Sequence, residues 1–137
     1  MEKKKKIALM ALGAVLIIAL THVLFWYLVP YRSYQEYEDS MPAEIETEIR
    51  YPTVFSLRGR IRMFVNDYSA LEMVPGVFGG ADLYVVFAGM TEEYRIPVDR
   101  ELIPLERTNE ECEILLDENR SHMLEYLAWA EENWNIQ

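Results

Sequence analysis

From Ile7 to Val29 the chain carries no charged residue, and only Gly13, Thr21 and His22 interrupt 23 otherwise apolar positions. A helix of that length, rising about 1.5 Å per residue, measures about 34 Å and exceeds a hydrocarbon core of about 30 Å. A secretory signal needs an apolar stretch of only about 7–15 residues, followed by a small-x-small cleavage site. The best such site is Ala19-Leu20-Thr21, and cutting there leaves His22 and then Val23-Leu24-Phe25-Trp26-Tyr27-Leu28-Val29 at the new N-terminus. The run is therefore read as an uncleaved signal-anchor. A secreted protein, cut near Thr21, is the alternative.

Orientation follows from charge. Lys3, Lys4, Lys5 and Lys6 precede the run, and only Arg32 follows it closely. The positive-inside rule places the N-terminus in the cytoplasm and the C-terminal part outside the cell membrane, as a single-pass protein. Phe25, Trp26 and Tyr27 fall near the outer end, where amphipathic rings favour the headgroup layer. Pro30 marks the end of the spanning helix or a kink in it. His22, the one ionisable residue in the run, reads as a neutral, locally bonded imidazole. Ala8, Ala11 and Gly13-Ala14 are small enough for close helix packing, but there is no GxxxG, so a homodimer is possible without being supported.

The chain then divides into a basic cytoplasmic tail (1–6), the anchor (7–29), a stalk or helix extension (30–42) and an outer domain (43–137). About 107 residues follow the anchor, enough for one compact core and too few for two. They hold nine arginines against 22 carboxylates, a net charge of −13, and no lysine. Such a surface excludes nucleic acid as a partner, because that binding needs a basic footprint. It also repels anionic lipid, so the domain is expected to stand off the bilayer. The single cysteine, Cys112, rules out an intrachain disulfide and a cysteine-based zinc site. Its place on an apolar helical stripe reads as burial.

Two segments alternate with period two. In Glu44–Tyr51, Ile45, Thr47, Ile49 and Tyr51 share a face opposite Glu44, Glu46, Glu48 and Arg50. In Val54–Val65, Phe55, Leu57, Gly59, Ile61, Met63 and Val65 oppose Ser56, Arg58, Arg60 and Arg62. A hairpin with Pro52-Thr53-Val54 as its loop would set Glu48 against Arg58, Glu46 against Arg60 and Glu44 against Arg62. Arg58, Arg60 and Arg62 are candidate interaction residues for phosphate or carboxylate. The matching acids make an internal ion-pair ladder the plainer reading.

Asn66–Gly76 reads as a turn, a short helix capped by Ser69 with Glu72, and a second turn at Pro75-Gly76. Gly79-Gly80 is a bend without nucleotide-binding spacing. Asp82–Ala88 is apolar on both faces and reads as a central strand. Glu93–Asp99 alternates, and Pro97 confines it to an edge. From Thr108, a capping box with Glu111 opens an amphipathic helix whose stripe is Cys112, Leu116, Asn119, Met123, Leu127, Ala130 and Trp134. The fold class expected is α+β: one transmembrane helix, then a small antiparallel sheet of about four strands covered by a C-terminal helix.

Motifs for chemistry are sparse. Asn119-Arg120-Ser121 is a glycosylation sequon, but a continuous helix would put Asn119 on the buried stripe. His122 has neither a nucleophile elbow nor ligand spacing around it. The acid clusters Glu92-Glu93, Asp99–Glu101 and Glu110–Glu113 lack an EF-hand pattern. No catalytic, cofactor or metal residue is assigned, and the protein is not expected to be an enzyme. Trp129, with Ile114, Leu124 and Ile136, lies off the main stripe and is a candidate interaction residue or a second packing surface. The functional expectation is an extracytoplasmic interaction or accessory domain, its partners the bilayer and another membrane or envelope protein. A cell-envelope hydrolase or a divalent-cation-binding protein is the rival.

Overall fold

The computed structural model describes residues 1–137 throughout. Helix α1 runs over Glu2–Trp26, a π-helical turn over Tyr27–Tyr31, and helix α2 over Arg32–Ser40. The five strands are β1 (Glu46–Arg50), β2 (Arg60–Asn66), β3 (Ser69–Pro75), β4 (Ala81–Ala88) and β5 (Glu93–Val98), and helix α3 (Glu110–Asn133) closes the chain. The strands form one antiparallel meander in the order β1-β2-β3-β4-β5. One face of the sheet packs on α3, and the other has no helix over it. The expected α+β architecture stands, with one strand more than the four counted.

Pro30 does not end the helix. Proline has no N–H to give and crowds the preceding turn, and the wider π turn absorbs both defects. Ser33 Oγ donates to the Val29 carbonyl at 2.8 Å, which also accepts the Arg32 N–H at the end of the π turn. The helix thus runs on to Ser40 as one body with α1. Tyr34, one turn past the proline, is 2% exposed inside the core, where its hydroxyl accepts the Gly59 N–H at 3.1 Å. The Tyr37 ring lies tilted against Trp134 at 4.9 Å, and the Trp134 indole N–H donates to Ser40 Oγ. Residues 30–42 are part of the domain's packing.

The first hairpin forms in a different register from the one expected. Glu48 lies opposite Arg62, Ile49 opposite Ile61 and Arg50 opposite Arg60, so every β1 partner is four residues further along the chain. An even shift keeps each side chain on its face, which is why the period-two reading survives it. The loop is longer because Gly59 passes directly over β1: a Cβ there would lie 1.9 Å from the Arg50 carbonyl oxygen. Only glycine allows that crossing. Arg60 therefore meets Glu48 at 3.3 Å instead of Glu46, and Arg58 meets Asp82 at 2.9 Å.

The short helix expected at Ser69–Glu72 is strand β3, the middle of the sheet. Ladders on both sides of β3 outweigh one isolated helical turn, whose nucleation is costly. The turn before it does form, with Asn66 Oδ1 accepting the Tyr68 N–H at 2.9 Å. β4 is interior and β5 is the edge, with Pro97 facing Tyr84. Helix α3 is continuous through Ser121 and buries Cys112, Leu116, Met123, Leu127 and Ala130 against the sheet. Its cap is Asn109, whose Oδ1 accepts the Cys112 N–H at 2.8 Å; the expected Thr108 cap is one residue early.

Candidate functional site

The open face of the sheet holds most of the polar organisation. One row crosses the strands from Glu48 through Arg62, Glu72 and Tyr84 to Pro97. Glu72, in the centre, is completely buried beneath the long side chains of its neighbours. Its carboxylate accepts Arg62 Nε at 2.8 Å and Arg95 Nε, and Arg60 approaches to 3.9 Å. Arg62 is itself 6% exposed and reaches on to Glu93 at 2.6 and 3.3 Å. A buried carboxylate is tolerated only when paired in this way. Arg95 also lies 3.6 Å over the Tyr84 ring, a cation–π contact.

The protonation of this network follows from its contacts. Hydrogen bonds from Arg62 hold the Glu93 carboxyl below its ordinary range, against a smaller opposing effect of partial burial. Burial pulls the Arg62 guanidinium down, but its bonds to Glu93 and Glu72 more than restore it, so it stays charged. Elsewhere, burial pushes the Cys112 thiol up, and Tyr34's phenol is raised well beyond its usual range by the same cause.

Beside this network the outer face opens into a depression of about 400 Å³. Arg50, Arg58, Arg60, Arg62 and Arg95 line it, with Tyr51, Thr53, Ser56 and Glu93. Five of the outer domain's eight arginines thus converge in a strongly acidic chain. They are not equally committed. Arg62 is consumed by its two carboxylates, Arg58 also donates to the Val74 carbonyl at 2.7 Å, and Arg50 makes no ion pair. Arg60 Nε is buried without a hydrogen-bond partner. The arrangement has donors to spare on its rim, where planar forks suit a carboxylate or phosphate group.

The remaining candidates lie apart. Lys3, Lys4, Lys5 and Lys6 occupy the first turns of α1, all exposed. Phe25, Trp26 and Tyr27 sit at its far end, where Phe25 packs 6.3 Å from the Phe78 ring and Trp26 donates to the Pro52 carbonyl at 3.0 Å. His22 Nε2 is 2.6 Å from the Val54 carbonyl oxygen, a contact with a distant loop and not a local one. A carbonyl only accepts, so Nε2 carries the proton. Trp129 packs edge-on against Trp134 at 5.1 Å on the rim of the core, while Ile136 is buried and Ile114 exposed, so the four are not one surface. Asn119 bonds to the Leu115 carbonyl and to Asn66, and the His122 ring lies tilted against Tyr126 at 4.7 Å. No three His, Cys, Asp or Glu side chains converge to hold a metal ion.

Sequence reasoning missed Glu72 and Arg95. The capping-box spacing with Ser69 assigns Glu72 to the start of a short helix, and the one available signal for its role is a lone acid between Leu71 and Met73 in a stretch that could equally be a strand. One helix, near the N-terminus, is long and apolar enough to cross a membrane. No protein-family model matches the chain, and neither a curated protein nor a solved structure is similar to it.

Proposed function

We propose that this is a single-pass membrane protein whose outer α+β domain works by contact. Residues 7–29 lie in the bilayer, the lysine-rich N-terminus in the cytoplasm and the sheet outside. The arginine-lined depression on the open face takes an anionic group carried by another membrane or envelope protein. The observation that carries this reading is the convergence of five arginines, one of them without any ion pair, on the sheet face that no helix covers. A domain of net charge −11 that keeps such a cluster on its open face has a charge pattern suited to recognition over short range. Rim arginines in this setting add orientation and rate more than raw affinity.

The test is crosslinking in native membranes, comparing the natural chain with Arg50→Glu and Arg58→Glu. Both residues lie on the rim, outside the buried Glu72 network. An adduct formed by the natural chain and lost in both variants, with the melting temperature retained, supports the reading. A monodisperse chain without an adduct, or an adduct indifferent to both variants, refutes it.

A further inference from the structure

Two loops at one end of the sheet share a pattern. The β1–β2 loop contains Pro52-Thr53-Val54-Phe55-Ser56, and the β3–β4 loop contains Pro75-Gly76-Val77-Phe78-Gly79. In an antiparallel meander these two connections lie on the same side. Neither Tyr51–Leu57 nor Val74–Ala81 includes a charged residue. The phenylalanines at their tips are bare to solvent: Phe55 is 98% and Phe78 88% exposed. Two aromatic side chains so exposed on neighbouring loops need an apolar environment from elsewhere.

Both loops touch α1 inside its apolar run. Val54 O accepts from His22 and Pro52 O from Trp26, while the Phe78 ring lies 6.3 Å from that of Phe25. Residues 22, 25 and 26 are one face of a helix. His22 lies eight residues before Pro30, about 12 Å along the axis. The apolar residues preceding His22, from Ile7, span only about 22 Å, short of a hydrocarbon core of about 30 Å. If this helix spans the bilayer, the membrane therefore reaches past His22, and the loop tips lie at a depth already occupied by lipid.

The loops are built for such a place. Thr53 and Ser56 exchange backbone hydrogen bonds at 2.8 and 3.2 Å, and Gly76 bonds to Gly80 at 2.9 Å. Of the loop carbonyls, those of Val54 and Pro52 are taken by His22 and Trp26. Where water is scarce, backbone polar groups must find such partners. His22 thereby has a role that its position in the apolar run alone left unexplained.

We infer that the Val54-Phe55 and Val77-Phe78 tips are inserted into the lipid of the outer leaflet, forming with α1 a three-point membrane foot. The inference rests on the anchoring proposed above, and the continuity of the loop tips with the lipid-facing helix identifies the occupant as lipid. It requires no anionic headgroup, since neither loop is basic.

The test uses the full chain with Cys112→Ala, reconstituted in phosphatidylcholine vesicles. An environment-sensitive fluorophore is placed singly at Phe55→Cys, Phe78→Cys, Leu16→Cys and Met90→Cys. Leu16 reports the anchor, and Met90, on the turn at the opposite end of the sheet, reports water. Each label is challenged with aqueous iodide and with nitroxide lipid labelled near the headgroup, and circular dichroism checks each fold. The expected result is nitroxide quenching at 55 and 78, with iodide quenching several-fold weaker than at 90. Iodide access at 55 and 78 equal to that at 90, with Leu16 shielded, overturns the foot and leaves the anchor standing. Iodide access at Leu16 as well overturns both. Labels at 55 and 78 shielded from iodide but untouched by nitroxide lipid show a protein cover and overturn lipid insertion.

Discussion

Removing the Glu72 carboxylate is the severest test of how the open face is held. Glu72 is fully buried, Arg62 nearly so, and Arg60 and Arg95 press on the same group. In Glu72→Ala the Arg62 guanidinium stays buried with only Glu93 to neutralise it, and Glu93 is half exposed. Breaking a buried pair from one side costs about 3–5 kcal/mol. The outer domain of about 95 residues has a total stability of about 5–14 kcal/mol at ordinary per-residue values, so the loss is a large share of it. For a domain of this size about 1 kcal/mol moves the melting temperature by about 4–8 °C. The shift expected is therefore at least about 12 °C. It is measured on the full chain in detergent micelles, following near-ultraviolet circular dichroism from the packed tryptophans. Glu118→Ala, an exposed carboxylate on α3, serves as the control. Replacing both partners, Arg62→Leu with Glu72→Met, should recover part of the loss, because two apolar groups leave less uncompensated charge. A Glu72→Ala shift no larger than that of Glu118→Ala, or a double variant worse than the sum of its parts, would refute the reasoning.

Other consequences follow from single contacts. Tyr34→Phe leaves the buried Gly59 N–H unpaired and should cost about 1–3 kcal/mol by thermal unfolding. Because Tyr34's folded-state pKa is raised, its contribution is complete below the ordinary phenol value of about 10 and declines as pH rises beyond it, so the Phe variant should flatten the alkaline limb of stability against pH. Glu93 is the opposite case: its folded-state pKa is lowered, so its contribution is present above the ordinary carboxylate value of about 4.3 and fades as pH falls, and Glu93→Gln should flatten the acid limb. Gly59→Ala should prevent the β1–β2 crossing and lower the melting temperature more than any other alanine scanned in residues 51–59, since its Cβ collides with backbone that cannot move aside. Asn109→Ala removes the α3 cap and should cost about 1 kcal/mol, with Thr108→Ala nearly silent.

The parts of this fold legible in the sequence are those set by periodicity. The α3 stripe from Cys112 to Trp134 and the two faces of the first hairpin follow from which residues repeat at 3.6 or 2.0, while the interior β4 follows from its apolar run and the β5 edge from the N–H that Pro97 lacks. What periodicity does not carry is the pairing between segments. The hairpin register depended on Gly59 crossing Arg50, a tertiary close approach that no spacing rule detects. The Ser69–Glu72 spacing imitates a helix start, and only the flanking strands make it a strand. For the candidate site, Arg58, Arg60 and Arg62 are visible as a charge triad and Glu48 as an acid on the facing strand, but their other partners are not. Glu72, Asp82 and Glu93 come from three other strands, so the ladder of local acids expected from sequence is instead a network across the sheet.

The acidity of the outer domain also illustrates why a summed charge is a poor guide to placement. A net charge of −11 argues for repulsion from anionic lipid, and on that ground alone the domain should sit away from the bilayer. Electrostatics at this range, however, is read patch by patch, because screening cuts off at about 8 Å in physiological salt. The segments nearest His22 and Phe25 are 51–57 and 76–81, and both are neutral. The acids of α3 begin with Glu110, Glu111 and Glu113 at its N-terminus, whereas its C-terminus is the end tied to α2 through Trp134 and Ser40. Helix α2 continues α1 in one unbroken helical run, and Tyr34 fixes it in the core, so the end of the domain that meets α1 is chosen by packing before charge can act. Repulsion then acts mainly on surface already turned away, and charge reversal of α3's first-turn acids should leave the lipid accessibility of positions 55 and 78 unchanged.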